Sequence, residues 1–310
     1  MVMRLIIVGN GFDQHHRLKT SYKDYCVFLK DRDPSVLNDI VNSRYFIGDA
    51  SNIQDKEDVF WTDVEKNLRF DYKAMMGDCK HDYHPYPLDD SEEFPDSTQL
   101  SSMKDAAEAT EKTFEKIYAF TTSLLFEWIS GVNLDDVEWS DRCRFKPDDL
   151  FVTFNYTLTL ETVYAIKPQQ VIHIHGSVSN KILLQFGNTD EEAIDVELGY
   201  KQDYGDDILY EQTIEPASEC FVLIAEHLLK DLTDNISKLE GRLPHDNVDE
   251  IVVMGHSYRG SDFRYYKQIF IPKFKNAKWV IYCWHGNPDE VGQAESFFKE
   301  YELKGSVEIW

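Results

Sequence analysis

Short, continuous apolar runs occur at the start of the chain and recur through its second half. The first run covers residues 5–8 and ends in Gly9. Runs of this length bounded by turn residues are typical of buried parallel strands. The same pattern predicts further strands at 150–154, 171–174, 182–184, 251–254 and 279–283, and an edge strand at 306–310.

Apolar residues spaced three to four apart predict helices between these runs, over 59–68, 103–129, 158–166 and 217–239. Strands that alternate with helices indicate a doubly wound parallel sheet. The first two strands are separated by about 140 residues, which are mostly helical in pattern. We therefore predict an α/β fold with a Rossmann-like, mostly parallel sheet and a large helical insertion after the first strand. The α/β domain would comprise residues 1–20 and 148–310, and the insertion residues 21–147.

The composition narrows the possible partners. The 310 residues include 32 Lys+Arg and 56 Asp+Glu, a formal net charge of −24. This argues against general nucleic-acid binding and against docking on anionic lipid, since both need a cationic surface. The five cysteines form no CxxC pair, and no apolar run reaches the roughly 20 residues of a membrane span. We predict a cytoplasmic protein.

A glycine-containing turn follows the first predicted strand. Such a turn lets backbone amides approach a diphosphate, and a carboxylate just beyond it can hold a ribose hydroxyl. The third glycine of the GxGxxG fingerprint is replaced by Gln14, so the turn is also compatible with a plain strand-to-helix connection. The turn consists of Gly9, Asn10, Gly11, Phe12 and Asp13.

Three more turns of small or polar residues follow predicted strands. Asn155 follows the second strand, where its amide either orients a ribose or a water, or only caps the next helix. His173 and His175 lie on the same face of the third strand by alternation. His175 ends that strand and is placed to act as a general base. The fourth turn contains Gly255, His256 and Ser257, with Asp262 shortly after.

Ligands of open α/β sheets bind in the crevice at the carboxyl ends of the strands, so these four turns predict one site. A tight zinc site needs three or four ligands. No third ligand lies near the two histidines in sequence, and we predict no metal.

The order of these motifs resembles the bacteriophage abortive-infection AbiH family. The resemblance begins at residues 5–13 and 18–25 and extends over nearly the whole chain. It continues through 61–65, 154–156, 173–176 and 255–257, with Asp262. It implies an anti-phage protein.

The same order is similar to the sirtuin-like NAD-binding fold, whose first glycine loop holds the dinucleotide and whose His-Gly motif carries the catalytic histidine. The chain lacks the four-cysteine zinc module of sirtuin deacetylases, and Asn10 stands where sirtuins have alanine. The resemblance therefore implies NAD as substrate but not protein deacylation. Carried over by position, the resemblance implies NAD contacts at Gly9, Gly11, Gly255 and Ser257 and catalytic roles for Asn155 and His175. From the turns themselves we add Asp13 as a catalytic residue and Asn10, Phe12, His256 and Asp262 as NAD contacts.

The leading hypothesis is an anti-phage effector that hydrolyses NAD at the nicotinamide–ribose bond. His175 would accept a proton, Asn155 would hold the ribose and the water, and Asp13 would bind a hydroxyl or support the cation. One alternative is a nucleotide-binding sensor without catalysis. Another is a nuclease-type effector acting on RNA, against which the net charge weighs. The partners would be NAD or a related nucleotide, and either a second copy or a phage-derived trigger, with no general nucleic-acid binding and no membrane.

Overall fold

The computed structural model describes residues 3–42, 61, 64–68, 111–179, 184–187, 223, 226–244, 248–257, 262–283 and 287–310. The chain divides into two compact units. The first comprises residues 1–25, 125–185 and 231–310, and the second comprises residues 26–124 and 186–230. The second unit therefore includes residues 186–230, which the sequence pattern assigned to the α/β domain.

The first unit is built on a six-stranded sheet whose neighbouring strands are all parallel. Its strand order is β3-β2-β1-β4-β5-β6, so the order reverses between β1 and β4. The crevice at such a reversal is where open α/β sheets bind ligands. The predicted Rossmann-like α/β fold is confirmed. The strands are β1 Arg4–Val8, β2 Leu150–Thr153, β3 Val171–His173, β4 Glu250–Met254, β5 Lys278–Cys283 and β6 Lys304–Ile309.

Alternation along the strands buries apolar side chains on both faces of the sheet. Leu5 and Ile7 belong to one core cluster, and Ile6 and Val8 belong to another. Because both faces are covered, the central strands read in the sequence as unbroken apolar runs. The six strands lie within two residues of their predicted bounds. Residues 182–183 of the remaining predicted strand lie outside the described part of the chain, and Leu184 is not in a strand.

Helices account for the regular structure described between β1 and β2, in agreement with the predicted helical insertion. They are Asn10–His15, Tyr22–Arg32, Pro34–Asn42, Val64–Asn67, residues 111–121 and Ser123–Ser130. Later helices are Thr159–Tyr164, Leu232–Arg242, residues 263–274 and Pro288–Glu300, and Pro168–Gln170 is a single 3₁₀ turn. The acidic stretches 81–96 and 190–207 lie outside the described residues.

The continuous helix predicted over 217–239 is wrong. Residues 228–231 are not helical, and a new helix begins at Leu232. Asp231 caps it, since its side chain accepts a hydrogen bond from the backbone amide of Asp234 at 2.8 Å. The break also places the buried Lys230 ammonium 2.8 Å from the Glu65 carboxylate within the second unit. Apolar spacing alone does not register a cap inside an otherwise periodic segment.

Candidate functional site

The turn after β1 is packed directly on the turn after β4. The amide of Gly9 donates to the Met254 carbonyl at 3.1 Å, and the amide of Gly11 donates to the Gly255 carbonyl at 2.8 Å. The amide of Phe12 donates back to the Gly9 carbonyl at 2.9 Å. These three amides, which the sequence predicted for a diphosphate, thus have acceptors within the protein.

Close approach of backbone explains the glycines in both turns. A methyl group on Gly9 would lie 2.5 Å from the His256 Cα, and one on Gly11 would lie 2.8 Å from the Gly255 Cα. Of the two residues predicted beside them, Asn10 donates from its side chain to the Thr20 carbonyl at 2.7 Å, and Phe12 is fully buried. The turn after β1 therefore packs tightly against the turn after β4, at the point where the strand order reverses.

Asp13 is buried and ties the first helix to the loop after β2. Its two oxygens accept hydrogen bonds from the Thr157 hydroxyl at 2.6 Å and the Thr159 hydroxyl at 2.7 Å. Burial raises the pKa of the Asp13 carboxyl to about 6, and the two hydroxyl donors only partly oppose it. The group predicted to touch substrate is thus held between two threonines.

The Asp13 carboxyl predicts a pH dependence of stability that Asp13→Asn removes. Its pKa is about 6 in the folded chain against an ordinary 3.8, so between these values the folded chain holds more protons than the unfolded chain. Stability contributed by this group therefore falls as pH rises from 4 to above 6, by about 3 kcal/mol in total. Urea unfolding at pH 4, 5, 6 and 7 measures this change in the free energy of unfolding.

Asp33→Asn is the control for this prediction. Hydrogen bonds from the Ser35 hydroxyl and the Val36 amide lower the pKa of the Asp33 carboxyl, so its contribution has the opposite sign: it is lost as pH falls. If the free energy of unfolding depends on pH in the same way for Asp13→Asn and for the unchanged chain, the Asp13 carboxyl is not the source of the pH dependence.

Asn155 follows β2 and is 7% exposed. Its side-chain amide donates to the Gly9 carbonyl at 3.1 Å, while its Oδ1 is buried and accepts no hydrogen bond from the described residues. A buried acceptor without a donor costs free energy, and a ligand or a water that donates to this oxygen would remove that cost.

His173 supports Asn155 from the neighbouring strand. Its Nδ1 lies 3.1 Å from the Asn155 carbonyl oxygen, and its Nε2 lies 2.9 Å from a Glu161 carboxylate oxygen. The carboxylate fixes the ring, and the ring holds the backbone that carries the Asn155 side chain. This arrangement suits a structural residue.

Two histidines from different strands meet at one carboxylate. His175 follows β3 and is 1% exposed, and its Nε2 lies 3.0 Å from Asp262 Oδ1. His256 follows β4, and its Nε2 lies 3.8 Å from Asp262 Oδ2. The opposite ring nitrogen of His256, Nδ1, lies 3.0 Å from the Tyr266 hydroxyl. We call His175, Asp262, His256 and Tyr266 the histidine cluster.

The helix that follows Asp262 positions this cluster. Residues Tyr266–Phe270 form a π-helical turn within it, a rare conformation that often occurs at functional sites. The Phe154 ring packs 4.0 Å from the His256 ring and 5.5 Å from the His175 ring, measured between centroids. The aromatic contacts restrict both imidazoles, so the cluster has little freedom to rearrange.

A cavity of about 560 Å³ opens at the reversal between β1 and β4. Four of the predicted residues line it: Gly11, Gly255, His256 and Ser257. The other predicted residues are not among its described lining residues, namely Gly9, Asn10, Phe12, Asp13, Asn155, His175 and Asp262. The lining residues are Gly11, Gln14, Gly255, His256, Ser257, Ile281, Tyr282, Cys283, Glu290, Gln293 and Trp310.

The sequence patterns missed several of these side chains. Tyr266 and the two threonines that hold Asp13 have no motif of their own. Glu290 and Gln293 lie in the helix after β5. That strand is followed by His285, Gly286 and Asn287, residue types like those of the four predicted turns, but they were not counted among them. A further sign was positional, since every strand of a doubly wound sheet delivers its following loop to the same edge.

Neither a metal-binding group nor a membrane-spanning helix occurs among the described residues. They contain no group of three histidine, cysteine or carboxylate side chains able to hold a metal ion. None of the helices in these ranges is long and apolar enough to cross a bilayer. Cys26, Cys143 and Cys283 are buried free thiols.

Comparison with known protein families identifies the family of this chain. The model of the family described as bacteriophage abortive infection AbiH matches residues 5–283. The chain belongs to the AbiH family. The match extends from β1 to the end of β5 and so includes the histidine cluster, and it supports a role for this AbiH protein in abortive infection by bacteriophage. No curated protein and no solved structure matches the chain significantly.

Proposed function

We propose that this AbiH protein acts in abortive infection by hydrolysing NAD at the bond between nicotinamide and ribose. One observation carries the proposal: His256 lines a cavity at the reversal point of the sheet and is linked through Asp262 to the buried His175. A dinucleotide site with a general base at its wall is what such an arrangement supports.

The cavity suits a nucleotide. Its volume of about 560 Å³ lies within the roughly 300–1,000 Å³ of typical small-molecule sites. Gly11 and Gly255 have no side chains that would fill the cavity. Polar side chains line it together with the apolar Ile281 and Trp310.

The proposed reaction needs few groups. The bond between ribose C1′ and the pyridinium nitrogen breaks, and its electron pair leaves with neutral nicotinamide. A water oxygen bonds to C1′ and gives up one proton. Positive charge develops on the ribose in the transition state, so a nearby carboxylate stabilises it. The reaction yields nicotinamide, ADP-ribose and a proton.

The residues divide into those that touch substrate and those that position them. His256 accepts the proton of the attacking water, and Asp262 supplies negative charge beside it. His175 acts as a positioning residue, since it fixes Asp262 from the buried side. Asn155 is also a positioning residue, since its side-chain amide holds the Gly9 carbonyl in the turn that carries Gly11, and Asp13 maintains the loop that carries Asn155.

The second candidate is a nucleotide-binding sensor without catalysis. Asp13, Asn155 and His175 are buried and do not line the described cavity, an observation that favours this alternative. Such a sensor would bind NAD in the same cavity and leave it intact.

Incubation of the purified full chain with NAD tests both. We expect free nicotinamide and ADP-ribose in equal amounts, measured by chromatography against a blank without protein. His256→Ala is the matched protein control, because it keeps the fold of the β4 turn and removes the imidazole. Binding of NAD without nicotinamide release would establish the sensor and overturn the hydrolase.

A further inference from the structure

One end of the cavity has no role in the reaction proposed above. It is formed by the end of β5 and by the helix Pro288–Glu300, which contribute Tyr282, Glu290 and Gln293. None of these side chains belongs to the histidine cluster. They lie where a substrate longer than the reacting sugar would place its remaining part.

The strand order gives the extent of the cavity. Its lining residues run from Gly11, after β1, to Trp310, after β6, three strand positions away along the sheet edge. At about 4.8 Å a step, these two strands are roughly 14 Å apart. His256 and Glu290 both line this cavity, so the two halves of a dinucleotide can occupy it together.

We propose that Glu290 binds the hydroxyls of the adenosine ribose and makes the site selective for NAD over its 2′-phosphorylated form, NADP. The inference rests on the proposed function, because it assigns the nicotinamide half to the histidine cluster. A carboxylate accepts hydrogen bonds from two neighbouring hydroxyls, and it repels a phosphate at the 2′ position.

The charge of Glu290 acts on Cys283, another residue that lines the cavity. Burial raises the pKa of the Cys283 thiol to about 11, and the Glu290 charge adds to this effect. Glu290 lies in the first turn of a 13-residue helix, a position where carboxylates are favoured. Gln293, one turn further on, supplies an amide that can pair with the polar edge of a base.

Calorimetric titration with ADP-ribose and with ADP-ribose 2′-phosphate tests the inference, because neither ligand contains the bond that is cleaved. We expect the intact chain to bind ADP-ribose at least about 30-fold more tightly, since like charges placed together are strongly unfavourable. Glu290→Gln should reduce this ratio to within about threefold, mainly by improving the affinity for the 2′-phosphate. The ratio should also narrow in high salt.

Glu295→Gln is the matched control. It removes one carboxylate from the same helix, at an exposed position outside the cavity lining, and should leave the ratio unchanged. Equal affinity of the intact chain for the two ligands would overturn the role of Glu290, whether or not NAD is cleaved. Selective binding of ADP-ribose without nicotinamide release would retain the role of Glu290 and reject NAD hydrolysis. Failure to bind either ligand would overturn both the role of Glu290 and the proposed function.

Discussion

Removal of the His256 imidazole is expected to lower nicotinamide release by about 10²–10⁴-fold, the usual contribution of a general base. His256 is the cluster histidine that lines the cavity, and both its ring nitrogens have polar neighbours. His256→Ala should leave the affinity for ADP-ribose nearly unchanged, since the loss concerns proton transfer and not ground-state binding. Steady-state rates of nicotinamide release, with calorimetric affinities, separate the two effects.

The histidine cluster predicts strong non-additivity. If His175 acts only by holding Asp262, then His175→Ala lowers the rate, but adding it to His256→Ala lowers the rate little further. Tyr266→Phe keeps the ring and removes the hydroxyl at His256 Nδ1, so we expect a smaller loss and a shifted pH–rate profile. Independent, multiplicative losses would show that the cluster does not work as a unit. Full activity of His256→Ala would reject its role as the base.

The fold was largely predictable from the sequence, because each strand is buried on both faces and therefore stands out as an apolar run. Even the weakly apolar β6 was recognised as an edge strand, and β1 ended at Gly9 as expected. The helix over 217–239 failed for a local reason: Asp231 forms a cap that the apolar periodicity around it does not reveal.

The site was predictable only as a location. The turns after β1 and β4 do meet, yet their glycines are explained by mutual packing, and three amides expected to contact a ligand donate to backbone carbonyls instead. Pairings such as His175 with Asp262, 87 residues apart, depend on tertiary structure and have no local signature. Glu290 was missed because a lone carboxylate in a helix is ordinarily a solvent-exposed residue.

Gly255→Ala is expected to destabilise the first unit severely, by about 4 kcal/mol or more, which is exceptional for one substitution. Gly255 has a φ of +62°, a left-handed conformation that costs alanine about 1 kcal/mol. The added methyl would also lie 2.1 Å from the Phe12 nitrogen and 2.4 Å from the Gly11 carbonyl carbon. The turns cannot separate without breaking the hydrogen bond from Gly11 to the Gly255 carbonyl. Thermal unfolding should show a fall in Tm of about 10 °C or more.

Two other glycines provide control substitutions for Gly255→Ala. Gly241 and Gly292 lie in the helices Leu232–Arg242 and Pro288–Glu300, and a methyl group on either would meet no atom within 4 Å. Alanine at these positions should stabilise the chain by about 0.5–1 kcal/mol, because it restricts the unfolded state and favours the helix. A general sensitivity of the protein to glycine replacement would lower Tm in all three variants. A Gly255→Ala chain that melts like the unchanged protein would mean that the β1 and β4 turns do not pack as closely as the 2.8 Å hydrogen bond between them requires.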